Sequence, residues 1–208
     1  MTFLRAIVSV WIMGATLLCP RDSEAISIGF DPVSAAVSLG DTLDVGILIS
    51  DLGGEIVSAY DLDVSYDATI LSATGVSFGS FLNDGDPFNS FQVFDLSTPG
   101  LIDLAELSLL FDSDLLSSQP DSFLLATISF STLAEGTSAL TLVPDPVFGV
   151  DVTGLDAQIL QLNVDSGNVT VSARASVPEP STWVLLGVGV AFMALFMGFH
   201  RRTFELRR

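Results

Sequence analysis

Ala59-Tyr60-Asp61-Leu62-Asp63-Val64-Ser65-Tyr66-Asp67-Ala68-Thr69-Ile70-Leu71 reads as a half-buried strand, a reversal, and a return into an apolar interior. Tyr60, Leu62, Val64 and Tyr66 alternate with Asp61, Asp63 and Ser65. A strand sends successive side chains to opposite faces, whereas a helix would scatter these carboxylates around its circumference. Period two therefore decides for a sheet, and it recurs on both sides of this stretch. Leu43, Val45, Ile47 and Ile49 alternate with Thr42, Asp44, Gly46, Leu48 and Ser50. Leu124, Ala126, Ile128 and Phe130 are predicted to face inward in the same way, as are Leu140 with Leu142 and Val169 with Val171. Turn chemistry separates the runs at Gly40-Asp41, Gly53-Gly54, Asp84-Gly85-Asp86-Pro87, Pro99-Gly100, Glu135-Gly136 and Ser166-Gly167. No long apolar stripe at helical spacing interrupts residues 26–173. Short strands at roughly 10-residue intervals predict an all-β sandwich or jelly roll. Within it, Tyr60 and Tyr66 are expected in the core. Asp67 is expected to accept backbone N–H groups of its own turn, and Gly40 and Gly167 to supply positive φ.

Both ends of the chain read differently. Arg5, an apolar stretch from Ala6 to Leu18, and Ser23-Glu24-Ala25 form the three regions of a signal peptide, with Ile26 as the expected mature start. Cys19 follows Leu17-Leu18, not the small residue a lipoprotein signal needs, and is a passenger. A retained N-terminal anchor is the alternative. Near the other end, Val177-Pro178-Glu179-Pro180 precedes an uncharged apolar run from Trp183 to Phe199. At about 1.5 Å per residue that run reaches about 25 Å, enough for a thin hydrocarbon core. Arg201, Arg202, Arg207 and Arg208 would stay on the cytoplasmic side. The organisation expected is a signal peptide over 1–25, one domain over 26–173, a linker over 174–182 and a transmembrane segment with basic tail over 183–208. Ser172 to Ser176 is expected to begin the tether.

Charge and composition narrow the chemistry. From Asp22 to Asp165 there are 23 Asp and Glu residues, against no Lys, His or Cys and no Arg between Arg21 and Arg174; the net charge of the whole chain is −18. Such a surface repels nucleic acid and anionic lipid and attracts cations and basic protein surfaces. Thiol chemistry and disulfides are excluded from the domain, and the sole His, His200, lies beyond the apolar run.

The C-terminal features over residues 177–208 resemble the PEP-CTERM sorting signal of Gram-negative bacteria. That resemblance makes Pro178, Glu179 and Pro180 the processing motif, read by an exosortase at the inner membrane before the tail behind it is removed. The domain carries four landmarks in order: Leu39-Gly40-Asp41-Thr42-Leu43-Asp44-Val45; the Ala59–Leu71 stretch; Phe123–Phe130 followed by Glu135-Gly136-Thr137-Ser138; and Ser166-Gly167-Asn168-Val169-Thr170-Val171. Over residues 27–172 this series resembles the cohesin family, whose nine-stranded jelly roll binds dockerin modules. Ala68 departs from the family, which commonly has a Pro after the Asp. The resemblance implies a cohesin-like jelly-roll β-sandwich that is non-catalytic, with Asp61, Asp63 and Ser65 on the strand that contributes to the dockerin-binding face. Together the two resemblances imply an exported, surface-sorted protein that associates with a dockerin-like protein or with the extracellular matrix of exopolysaccharide and biofilm.

Other readings stay open at this stage. Asp61 and Asp63 lie roughly 7 Å apart at Cα on one strand face, so a carboxylate-only glycoside hydrolase is conceivable. A carbohydrate-binding module is another, although Trp11 and Trp183 both fall in the targeting segments. No catalytic residue is assigned. Asn83, Asp84 and Asp86 resemble half a calcium loop; with Gly85 at the sixth position, Ser80 falls first and Leu82 third, so the EF-hand pattern fails. Calcium at a generic loop site is the one cofactor left open, with Asp112 and Asp114, expected in an exposed loop, as a second candidate.

Overall fold

The computed structural model describes residues 25–144, 151–174 and 185–194. The chain divides into two units, Met1–Ser172 and Ala173–Arg208. In the first unit two sheets face each other, a jelly-roll sandwich as the alternation predicts. One sheet holds β1 (Ile26–Asp31), β3 (Thr42–Ser50), β5 (Leu71–Phe78), β8 (Phe123–Thr132) and β11 (Leu162–Val164), in the order β11-β1-β3-β8-β5. The other runs β2-β12-β9-β4-β7-β6, from β2 (Ser34–Ser38), β12 (Gly167–Ser172), β9 (Gly136–Val143), β4 (Ala59–Ser65), β7 (Leu101–Ser108) and β6 (Ser90–Asp95). A short β10 (Asp151–Thr153) pairs with Asp61 to Ala59 of β4, on the edge that β9 uses for Asp63 to Ser65.

The inward residues are those that alternation selects. Tyr60, Leu62 and Val64 of β4 are buried, as are Val45, Ile47 and Ile49 of β3 and Val169 and Val171 of β12. They join one core with Ile102 and Leu104 of β7 and Ile128 and Phe130 of β8. Tyr66, half-buried, sets its ring edge-on to Phe130 at 5.3 Å between centroids. The reversal after Tyr66 is built as expected. Asp67 Oδ1 accepts the Thr69 hydroxyl at 2.6 Å and the Thr69 N–H at 2.9 Å. These two bonds, the hydroxyl first, hold the Asp67 carboxyl below the usual carboxylate range.

Four expectations are corrected. Leu124 points outward, because a β-bulge opposite Ile47 and Leu48 leaves Leu125 as the extra residue and reverses the phase of β8 before Ala126. Phe123 and Leu125 take the buried positions instead. Gly40 does have φ +90, but Gly167 does not lie in the left-handed region; a Cβ there would sit 2.9 Å from the Cβ of Phe30. Glycine at 167 is a matter of space, not of turn geometry. Asp112 and Asp114 are not in a loop but in the first turn of α1 (Asp112–Ser118), which buries Leu115. Ser172 belongs to β12 and accepts the Leu39 N–H at 2.8 Å, so the tether starts beyond it.

In the second unit, residues 185–194 are helical. Among the described residues no helix is long and apolar enough to cross a membrane. The remainder of the expected span, the Pro178-Glu179-Pro180 triplet and the signal peptide up to Glu24 lie outside the described residues.

Candidate partner-binding face

The outer face of the second sheet is written by strand register. Phe91 of β6 pairs with Leu107 of β7, which pairs with Ala59 of β4, which pairs with Thr153 of β10. Two residues along, Val93, Ala105, Asp61 and Asp151 form the next row. Beyond it come Asp95, Asp103, Asp63 and Val143. The face thus grades from one largely apolar row, through a row half apolar and half carboxylate, into a row with three carboxylates abreast.

Phe91, Val93 and Leu107 are 65%, 49% and 50% exposed. Together with Ala59, Ala105, Asp61, Asp151 and Thr153 they line a groove of about 380 Å³. An exposed cluster of this kind, rimmed by polar groups, marks an interaction surface more often than chance placement of single apolar residues does. Apolar exposure continues past β7 at Leu109 and Phe111.

Beneath the face lies a buried polar linkage. Glu106 is 1% exposed and accepts Gln92 Nε2 at 2.7 Å. The Tyr60 hydroxyl stands 3.2 Å from the other Glu106 oxygen and 3.0 Å from the Leu125 carbonyl. Burial, and then the Glu106 charge and hydrogen bond, push the Tyr60 phenol above its usual value. Because Gln92, Glu106 and Tyr60 come from β6, β7 and β4, this linkage ties the three strands in one register and so aims Phe91 and Val93 outward.

The three face residues named from sequence divide in role. Asp61 is exposed and borders the groove; Asp63 is half-buried beside Asp103. The Ser65 hydroxyl is engaged with that of Thr141 at 2.8 Å. Asp95 accepts the N–H of Ser97 and its hydroxyl, and these, the backbone bond first, hold its carboxyl below the usual range. Sequence reasoning missed Phe91, Val93 and Leu107.

The loop candidates for calcium serve the backbone. Asn83 Oδ1 accepts the Gly85 N–H at 2.9 Å, and Asp86 Oδ1 accepts the Phe88 N–H at 3.0 Å, capping the 3-10 turn Pro87–Asn89. Asp84 adopts φ +53 between them. Among the described residues no three His, Cys, Asp or Glu side chains gather as a metal centre requires.

Comparison with known proteins now decides the family. A cohesin domain model matches residues 28–171. The chain belongs to the cohesin family. A second model, the PEP-CTERM protein-sorting motif, matches residues 176–202. Solved cohesins share the fold. The seventh ScaB type I cohesin of Pseudobacteroides cellulosolvens is 20% identical, with 74% of this chain and 97% of that chain covered and a TM-score of 0.57. CaCohA2 from Clostridium acetobutylicum is 25% identical over 72% and 92%, TM-score 0.53. A non-cellulosomal cohesin from Archaeoglobus fulgidus is 17% identical over 73% and 94%, TM-score 0.54. Among curated proteins none matches. Cohesins are protein-binding modules, and a PEP-CTERM motif marks an exported protein sorted to the cell surface.

Proposed function

We propose that this protein displays a dockerin-binding module at the cell surface, and that the partner docks on the outer face of β9, β4, β7 and β6. The observation that carries the reading is the exposed apolar groove of Phe91, Val93 and Leu107 beside Asp61, on the strand named from sequence. Solved relatives include cohesins in complex with dockerins, among them the OlpC cohesin with Doc435 from Clostridium thermocellum. Asp61, Asp63 and Ser65 contribute to the same footprint, and association with the surrounding matrix runs through the docked protein. An exosortase-type enzyme cuts at the Pro178-Glu179-Pro180 motif and releases the basic tail.

Capture from the native envelope with the full protein as bait, followed by mass spectrometry, tests the docking. A dockerin-containing protein is expected with the native chain and is lost with Phe91→Ser/Leu107→Ser. Capture that is the same with both chains refutes the face. For sorting, the surface-displayed form should lack Arg207 and Arg208, and Glu179→Ala should accumulate as uncut precursor; finding the basic tail on the displayed form refutes the processing step.

A further inference from the structure

β5 ends the first sheet, and among the described residues no strand pairs with its outer edge. It is the longest of the four edge strands, with 8 residues against 6 in β6, 5 in β2 and 3 in β11. At about 3.4 Å per residue it offers about 27 Å of unpaired ladder. Such an edge invites a further strand, and proteins ordinarily blunt it with charge or proline. β5 carries neither. From Ala68 to Asn83 the chain has no charged residue and no Pro, and the stretch that holds β8 has none from Ser122 to Ala134. The sheet therefore ends in two uncharged strands, in a chain whose net charge is −18.

The one device that interrupts this edge is a bulge. The register shifts between Ala73 and Gly75, which leaves Thr74 without a partner in β8; its hydroxyl donates to the Ser129 carbonyl at 3.0 Å. The ends of the ladder fix which backbone groups stay free. The Ile70 carbonyl accepts the Leu133 N–H at 2.7 Å, and the Gly79 N–H donates to the Leu125 carbonyl at 2.8 Å, so both residues face β8. Alternation from those two ends turns the backbone groups of Leu71, Ala73, Val76 and Phe78 away from β8. The step from Ala73 to Val76 is three residues, not two. A regular strand repeats every two and falls out of phase at the bulge. A second β5 running antiparallel has the same step in the same place.

We infer that two copies of this chain join along β5, antiparallel about a two-fold axis between Thr74 and Gly75, so that two five-stranded sheets become a single ten-stranded one. Leu71 then falls opposite Phe78 of the second copy and Ala73 opposite its Val76, with bulge against bulge at the axis. The contact is isologous and closes on itself, which removes the edge in place of extending it. Neutrality is what two acidic chains need where they touch, since like charges set opposite each other repel. On the outer side Ser72 meets Ser77 of the second copy. On the inner side Ala73, Val76 and Phe78 are half-buried against the core, and Phe94, 45% exposed, stands 6.4 Å from Phe78. A second strand beside them completes the burial of this seam. The contact uses the sheet opposite the docking face, so the inference stands without that reading.

The test uses the full-length protein in detergent, with Cys19→Ser to remove the native thiol. Thr74→Cys sets a thiol beside the axis, within disulfide reach of its copy, and mild oxidation should link more than about half of the chains. Ser34→Cys, exposed on the edge strand β2, should link few. Equal linking of the two variants, or none at Thr74→Cys in a chain that melts like the native one, overturns the pairing. In sedimentation velocity, Ser72→Asp/Ser77→Asp sets acids opposite each other twice across the axis and should weaken self-association about tenfold. Thr98→Asp/Gln158→Glu adds the same charge at exposed positions elsewhere and should leave it unchanged. Native self-association should tighten several-fold from roughly 50 to roughly 300 mM sodium chloride, as screening relieves the repulsion between copies. Association that survives Ser72→Asp/Ser77→Asp belongs to another surface or to the apolar tail and overturns the inference. An equal loss with the control pair assigns the effect to bulk charge and overturns it as well.

Discussion

Replacing Asp103 by Asn should make the domain more stable, which is the reverse of what most substitutions do. Asp103 sits between Asp63 and Asp95 in the row across β4, β7 and β6. Side chains directly opposite in an antiparallel pair have Cβ atoms about 5 Å apart, and two repelling carboxylates can splay to about 6 Å. In water-like surroundings one such pair then costs about 0.7 kcal/mol. Asn keeps the shape and the strand position, and removes the Asp63–Asp103 repulsion; relief from Asp95 has the same sign. For a domain of this length, that gain raises the melting temperature by about 3 °C. The assay is a thermal melt of native and Asp103→Asn chains at roughly 20 mM and roughly 1 M sodium chloride. The Debye length contracts to about 3 Å at 1 M, so the advantage should shrink by more than half. A variant less stable at low salt, or one whose advantage ignores salt, refutes the idea that this row is held under mutual repulsion. If the gain is found while partner capture weakens, the row costs stability in return for recognition.

Three further outcomes follow from the geometry. Leu62→Ala, at a position 1% exposed in the core, should lower unfolding free energy by about 2–5 kcal/mol in a denaturant melt, and a loss under 1 kcal/mol would contradict its place between the sheets. Gly167→Ala should cost about 1–3 kcal/mol in a denaturant melt, because its new Cβ would press on the Cβ of Phe30, and a loss under about 0.5 kcal/mol would contradict that close approach; the cost of Gly40→Ala lies instead in its φ of +90, with nothing within 4 Å of the added Cβ. Thr69→Ala removes the hydroxyl that lowers the Asp67 carboxyl, so its titration, followed by NMR, should move up toward the usual carboxylate range. Since the folded value lies below the unfolded one, Asp67 supports the fold above the unfolded value and that support fades as pH falls through the folded one; Thr69→Ala should flatten this acid limb.

The sandwich is legible in the sequence because apolar and polar residues alternate cleanly where one face is solvated. Leu62 and Val64 go in, and Asp61 goes out, for no reason beyond period two. Legibility fails where another physical cause intervenes. Nothing local to Leu124 announces that the strand slips one residue against β3, so alternation alone gives it the wrong phase. Gly167 looks like a turn glycine because the sequence does not say which side chain will press against it. Asp112 and Asp114 read as a loop because a helix this short has too little periodicity to see, and it is Leu115, buried, that anchors it. At the candidate face, Asp61 can be named from its strand, whereas Phe91 and Val93 cannot. β6 sets Phe91 and Val93 on one parity and Ser90, Gln92 and Phe94 on the other, so alternation would turn Phe91 and Val93 inward, the reverse of what the strand does. Only the pairing with β7 places Phe91 and Val93 beside Leu107 and Ala105 on the outer face.

The way β12 is held has a mechanical meaning for a module tethered through its C-terminal side. β12 runs parallel to β2 from Asn168 opposite Ser34 to Ser172 opposite Ser38, and antiparallel to β9 along its other edge. A pull transmitted through Ala173 acts along that strand, so the hydrogen bonds on both sides are strained together in shear and do not open one at a time like a zipper. Drag on a captured partner would therefore be borne collectively by two ladders, and the weakest link under flow shifts from the fold to the docking face.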